Sequence, residues 1–132
     1  MIGLDTNVIV RYLVQDDPVQ SEIATRIFEE RLSADNRGFV SAVTLCEVVW
    51  VRKRGYKRPK PELCAVVRAL LEAGELEIEH RDLVWRALSA FQSGTADFSD
   101  YLIGERARVA GAPTTLTFDQ SAATASLFTL AE

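Results

Sequence analysis

The 132-residue sequence has one histidine, two cysteines and no surplus of basic charge, its net charge being −4. Each scarcity closes off a class of chemistry. His80 stands alone at no ligand spacing, which leaves neither a Ser–His–Asp set nor a zinc site to assemble. Cys46 and Cys64 lie in apolar surroundings and are too few for a disulfide scaffold, so both are expected as small core residues in a reducing compartment. The acidic balance argues against a protein that coats nucleic acid by bulk attraction, although a single local basic patch remains compatible with it. No apolar run approaches the ~18 residues that would read as a membrane span. Met1 leads straight into a short apolar stretch ending at Asp5, without the layout of a secretory leader. A cytoplasmic protein is expected.

What is present is ordinary globular composition, 48% hydrophobic and 26% charged. One domain spanning 1–132 is expected from the length. Short β-like runs alternate with helical patterns, which predicts an α/β fold with a mainly parallel sheet. Strands are predicted over 1–5, 38–41, 76–79 and 115–118. Helices are predicted over 6–14, 17–32, 42–54, 62–73, 82–91 and 97–110, with a weak final helix from Gln120. Ile23, Ile27 and Phe28 are expected on the inner face of the second helix.

Asp5 closes the first strand and Asp119 follows the late one, and the carboxyl ends of strands line the ligand crevice of an open α/β sheet. Asp97 and Asp100 open a helix after a Gly-containing loop. Each of these four acids has an equally simple reading as a helix cap, satisfying unpaired backbone N–H groups. Glu47 has less room for it. It stands mid-helix within Val43–Trp50, where nearly every neighbour is apolar, so the sequence predicts a buried glutamate. A buried glutamate needs either an ion pair, with Arg11 or Arg106, or a metal. Ser41, Thr44 and Glu47, three residues apart, predict a polar stripe facing a wet cavity. Unit charges about 4 Å apart repel by about 4 kcal/mol at an effective dielectric near 20, so gathered carboxylates need protons or cations among them. Oxygen-only ligands favour Mg²⁺ or Mn²⁺.

Four segments carry a resemblance in order, spacing and total length. They are Leu4-Asp5-Thr6-Asn7, Thr44-Leu45-Cys46-Glu47, Asp97-Phe98-Ser99-Asp100-Tyr101-Leu102-Ile103 and Thr115-Leu116-Thr117-Phe118-Asp119. The chain resembles the PIN domain over essentially its whole length, and in particular the VapC-type toxin ribonucleases of bacterial toxin–antitoxin pairs. The resemblance implies a three-layer α/β/α fold around a central, mainly parallel sheet of four to five strands. It implies Asp5, Glu47, Asp100 and Asp119 as the catalytic, metal-binding acids, with Asp97 a further acid of the metal site or simply the cap. Asn7 and Thr117 would support the site by hydrogen bonding. The chemistry implied is Mg²⁺- or Mn²⁺-assisted hydrolysis of RNA, and the assembly implied is a homodimer with an antitoxin partner. Tyr101 and Gly104-Glu105 depart from the small apolar residues usual after the third acid, which puts local packing and dimer geometry in question.

Arg52, Lys53, Arg54, Lys57, Arg58 and Lys60 fall within nine residues, with Tyr56 among them. They read as a solvated helix end, as an RNA-backbone contact with Tyr56 for base stacking, or as a docking surface for an acidic antitoxin segment. Phe28, Trp50, Trp85 and Phe91 are assigned to the core or a dimer interface. An Asp-nucleophile phosphatase would want a second Asp where Asn7 stands, and a receiver domain would want a late Lys that is missing. The remaining alternative is a catalytically silent PIN-like module that binds RNA or protein, against which four intact acids argue.

Overall fold

Asp17 followed by Pro18 starts a helix for two physical reasons. The Asp17 carboxylate accepts from the backbone N–H groups of Val19 and Gln20 at 3.1 and 2.8 Å, and Pro18 fills a first-turn position that has no donor duty. The computed structural model describes all of residues 1–132, in two units, 1–79 and 80–132.

The first unit runs β1 (Ile2–Gly3), α1 (Thr6–Val14), α2 (Pro18–Arg26), β2 (Gly38–Val40), α3 (Ala42–Arg54), α4 (Lys60–Glu72) and β3 (Leu76–Ile78). Its three strands are parallel in the order β1-β2-β3, with Ile2 opposite Gly38 and Val40 opposite Ile78. α2 continues into a π-helical turn over Ile27–Arg31, closed by a 3.0 Å bond from the Leu32 N–H to the Ile27 carbonyl. Ile9, Val10, Val40, Leu45, Val48, Val67 and Leu71 form the fully buried centre. Each such side chain contributes about 1.5–3 kcal/mol by leaving water. Tyr12 of α1 stacks on Phe28 at 4.1 Å, which ties the π-helical turn back to α1.

Two expectations fail in this unit, at Ile23 and Glu47. Ile23 faces outward, and α2 buries Ser21 and Ala24 instead, because the inner face of that helix falls on the positions in phase with Phe28. Trp50 is exposed, at 62%, which removes the core from the two places expected for it and leaves an interface. Glu47 is exposed too: α3 buries Ala42, Leu45, Val48 and Val49, while the apolar Val43 and Trp50 lie on the solvent side with Glu47. Phe28 is buried as expected, as is Cys64, while Cys46 is half-buried.

The second unit runs α5 (Arg81–Ser93), α6 (Phe98–Val109), β4 (Thr115–Thr117), α7 (Gln120–Ala123) and β5 (Phe128–Leu130). The final helix expected from Gln120 is a single turn, and the chain then forms β5, parallel to β4 with Thr115 opposite Phe128. Strand pairing is parallel within each unit, three strands in the first and two in the second, and the alternation of strand and helix is that of a PIN-like α/β fold. α5 packs on α6, where Phe91 meets Phe98 edge-on at 5.9 Å, and buries Val84 and Leu88 as well. Trp85 is half-buried.

The departures after Asp100 are explained by this packing. The buried Tyr101 hydroxyl accepts from the Ala96 N–H at 3.3 Å and lies over Gly94. Gly104 leaves room for the chain entering β5, since a Cβ there would come within 2.8 Å of Leu127 Cβ and 2.9 Å of Phe128 Cε2. Glu105 is the glutamate that is truly buried, at 5% exposure. Its Oε1 accepts from Arg108 at 2.8 Å, and Arg86 stands 3.8 Å from Oε2.

Candidate metal centre

Asp5 follows β1 and caps α1. Extended backbone at φ −84°, ψ 161° turns its carboxylate back onto the new helix, where Oδ1 accepts from the Thr6 N–H at 2.8 Å. The buried Leu4 anchors this corner, and its N–H continues the strand pairing onto the Phe39 carbonyl at 2.9 Å. Thr6, one of three buried polar or charged residues, then reaches α3: its Oγ1 donates to Glu47 Oε2 at 3.2 Å. One residue therefore binds both acids, through its amide to Asp5 and through its hydroxyl to Glu47. Oδ2 of Asp5 and Oε1 of Glu47 carry no hydrogen bond within the unit, and both residues are exposed.

The ion pair with Arg11 proposed for Glu47 is not formed. Arg11 is committed elsewhere, to Gln20 Oε1 at 2.8 Å, Asp16 Oδ1 at 3.1 Å and the Tyr56 hydroxyl at 3.1 Å. The Tyr56 hydroxyl donates in turn to Asp16 Oδ2 at 2.7 Å. That bond raises the phenol's pKa and lowers the Asp16 carboxyl's, while the bond from Arg11 to Tyr56 raises the guanidinium's. The network fastens the loop after α3 to the turn between α1 and α2, and it occupies the hydroxyl of the residue considered for base stacking. Ser41 and Thr44 are bonded to each other. Ser41 caps α3, its Oγ accepting from the Thr44 N–H and donating to Thr44 Oγ1, each at 3.0 Å. The first amide of α3, that of Ala42, is taken by Glu79 Oε1 at 2.9 Å.

Asn7 is exposed and lines a cleft of 210 Å³ with Val8, Arg11, Gln20 and Ile23. In the basic segment, Lys53, Arg54 and Lys57 are exposed and Arg52 is half-buried. Arg58 is held by the Tyr56 carbonyl at 3.0 Å and by Glu62 at 3.4 Å.

In the second unit the acids do cap helices. Asp97 and Asp100 form a capping box at the start of α6, with Asp100 Oδ2 accepting from the Asp97 N–H at 3.1 Å. Asp119 Oδ1 accepts from the N–H groups of Ser121 and Ala122 at 2.8 and 3.2 Å, and Thr117 Oγ1 accepts from the Asp119 N–H at 3.0 Å. Thr117 thus supports Asp119 directly. Each unit therefore presents carboxylates oriented by backbone amides, and within neither unit do three His, Cys, Asp or Glu side chains form a ready metal-binding group.

A family model of the PIN domain matches residues 2–126, and so runs through both units. The chain belongs to the PIN-domain family. No curated protein matches it. PIN domains are generally nucleases that hydrolyse phosphodiester bonds, act on RNA and typically bind divalent metals. The Asp5–Thr6–Glu47 corner offers two hard carboxylate donors already oriented by hydrogen bonds, the kind of ligand such an ion takes.

Sequence reasoning missed Thr6 as a site residue. The signal was a threonine directly after a capping Asp and ahead of an apolar helix face, a place where its hydroxyl has to find a distant partner. Both thiols are inert. Burial pushes Cys46 up to about 11, and Cys64 is raised by burial as well, against the pull of Lys60 and Arg68. Neither is a thiolate nucleophile at neutral pH. No helix of the chain is long and apolar enough to cross a membrane.

Proposed function

We propose that this PIN domain is a single-domain, Mg²⁺- or Mn²⁺-dependent endoribonuclease and the VapC-type toxin of a toxin–antitoxin pair, working in the cytoplasm as a homodimer. The observation that carries the reading is the Asp5–Thr6–Glu47 corner, in which one residue aligns two carboxylates at the end of a parallel strand.

In this reading Asp5, Glu47, Asp100 and Asp119 hold the ion, with Asp97 beside Asp100. Bound there, the ion supplies Lewis-acid polarisation of the scissile phosphate and acidifies the attacking water. The chain's own residues prepare the site. Thr6 fixes the Glu47 rotamer and helps hold Asp5, Thr117 fixes the entry to Asp119, and Asn7 completes the polar rim. Arg52, Lys53, Arg54, Lys57 and Arg58 take up the RNA backbone, and an antitoxin covers the protein in the resting cell.

Purified protein should cleave single-stranded RNA with Mg²⁺ or Mn²⁺ and stop with EDTA. Expressed alone it should arrest growth, and the product of the neighbouring gene should relieve the arrest. No cleavage with either ion would leave a silent binding module, and harmless expression of an active enzyme would remove the toxin role. Thr6→Val keeps the shape of the residue and deletes the donor to Glu47. It should weaken Mn²⁺ affinity by about 10- to 100-fold, the usual cost of losing an outer partner of a metal ligand, and Thr6→Ser should recover most of it. Calorimetric titration with Mn²⁺ reads both.

A further inference from the structure

The exposed face of α3 is a line of unlike residues. Val43, Glu47, Trp50 and Arg54 are all exposed, and at 3.6 residues per turn they lie within an arc of roughly 60°. The opposite face, Ala42, Leu45, Val48 and Val49, is buried, so the helix is seated firmly and the outward orientation of Trp50 is fixed by that seating. Trp50 is 62% exposed. A tryptophan is highly buried on average, and one held out in water presents a large flat apolar surface for a ligand. It stands about 4.5 Å along the axis from Glu47, and Arg54 lies about 6 Å beyond it.

We propose that Trp50 is a stacking platform for one base of the single-stranded RNA substrate, placing the nucleotide next to the Asp5–Glu47 corner while Arg54 takes a neighbouring phosphate. The proposal rests on the nuclease reading above and adds a substrate-positioning residue to it. The charges on the face favour RNA over a second copy of the chain. Glu47 lies in the middle of the stripe, and closing a protein interface over it would bury a carboxylate whose one hydrogen bond comes from Thr6. A strand of RNA leaves Glu47 wet, brings a π-face to Trp50 and brings phosphate to Arg54. Stacking tolerates any base, so the platform sets position along the strand and not sequence.

Trp50 and Trp85 are the only tryptophans, so Trp85→Phe makes Trp50 the sole indole reporter. With EDTA present to prevent cleavage, an unstructured RNA oligonucleotide should quench its emission saturably. Trp50→Ala should weaken RNA binding by about 5- to 100-fold, and Trp50→Phe should keep most of it. With metal restored, Trp50→Ala should raise KM and change kcat little. Anisotropy of labelled RNA with Trp50→Ala and Trp50→Phe, both retaining Trp85, reads the same effect should Trp85→Phe fail to fold. Binding without quenching, no saturable binding, or a Trp50→Ala protein that changes only its oligomeric state each overturns the proposal. Quenching by a protein that cleaves no RNA would sink the nuclease reading and leave the platform standing.

Discussion

Glu47→Gln is expected to lower the rate of RNA cleavage by more than the roughly 10- to 100-fold that loss of an outer-shell partner costs, with no change in the urea midpoint. The substitution is nearly isosteric, and its amide oxygen still accepts from Thr6 Oγ1, now 3.2 Å from the carboxylate. What is lost is the charge that would hold a cation. Because Glu47 is exposed, folding gains nothing from that charge, and the stability change should fall within about 0.5 kcal/mol. Asp5→Asn should behave alike in rate. Single-turnover cleavage with saturating Mn²⁺, run beside urea unfolding, separates the two readouts. Substantial cleavage by either variant would remove the proposed centre. A matched fall in rate and stability would make Glu47 a structural residue.

The second large effect lies in the other unit and touches stability alone. A Cβ on Gly94 would overlap the Tyr101 hydroxyl and come within 2.8 Å of Tyr101 Cζ and 2.9 Å of the Ala90 carbonyl. Tyr101 is buried and its hydroxyl accepts from the Ala96 amide, so it cannot swing aside without leaving that donor unsatisfied. Gly94→Ala should therefore cost about 2–4 kcal/mol, combining overpacking with a lost hydrogen bond. Tyr101→Leu removes the obstructing ring, so Gly94→Ala should cost markedly less in that background. A urea double-mutant cycle measures the difference. Additive costs would show that the two residues do not share the space described.

The helices read from sequence where chemistry was local. α1 and α3 appear at the expected residues because Asp5 and Ser41 are caps with a side-chain acceptor, and Gly55 follows the last turn of α3. Thr115–Thr117 was legible as a strand, but β5 was not. Three residues, Phe128–Leu130, gain their identity from parallel pairing with β4, and no local pattern announces a partner across an intervening helical turn. The acids were legible as residues of interest, whereas the burial expected of Glu47 does not occur. Apolar neighbours suggested burial, but Val43 and Trp50 face water, and hydropathy alone cannot tell which side of a helix is seated. The glutamate that is buried, Glu105, was legible only as a departure from small apolar residues, and its ion pairs were not, since its two arginine partners lie a turn away on α6 and across on α5.

Glu105 also bears on how this sequence can drift. Its carboxylate is buried while Arg86 and Arg108 are 58% and 52% exposed, so the dependence runs one way. Loss of both arginines strands an anion out of water, whereas loss of the glutamate leaves two cations that water already reaches. Among relatives an acid at position 105 should therefore keep an arginine at 86 or 108, while the arginines should survive without the acid.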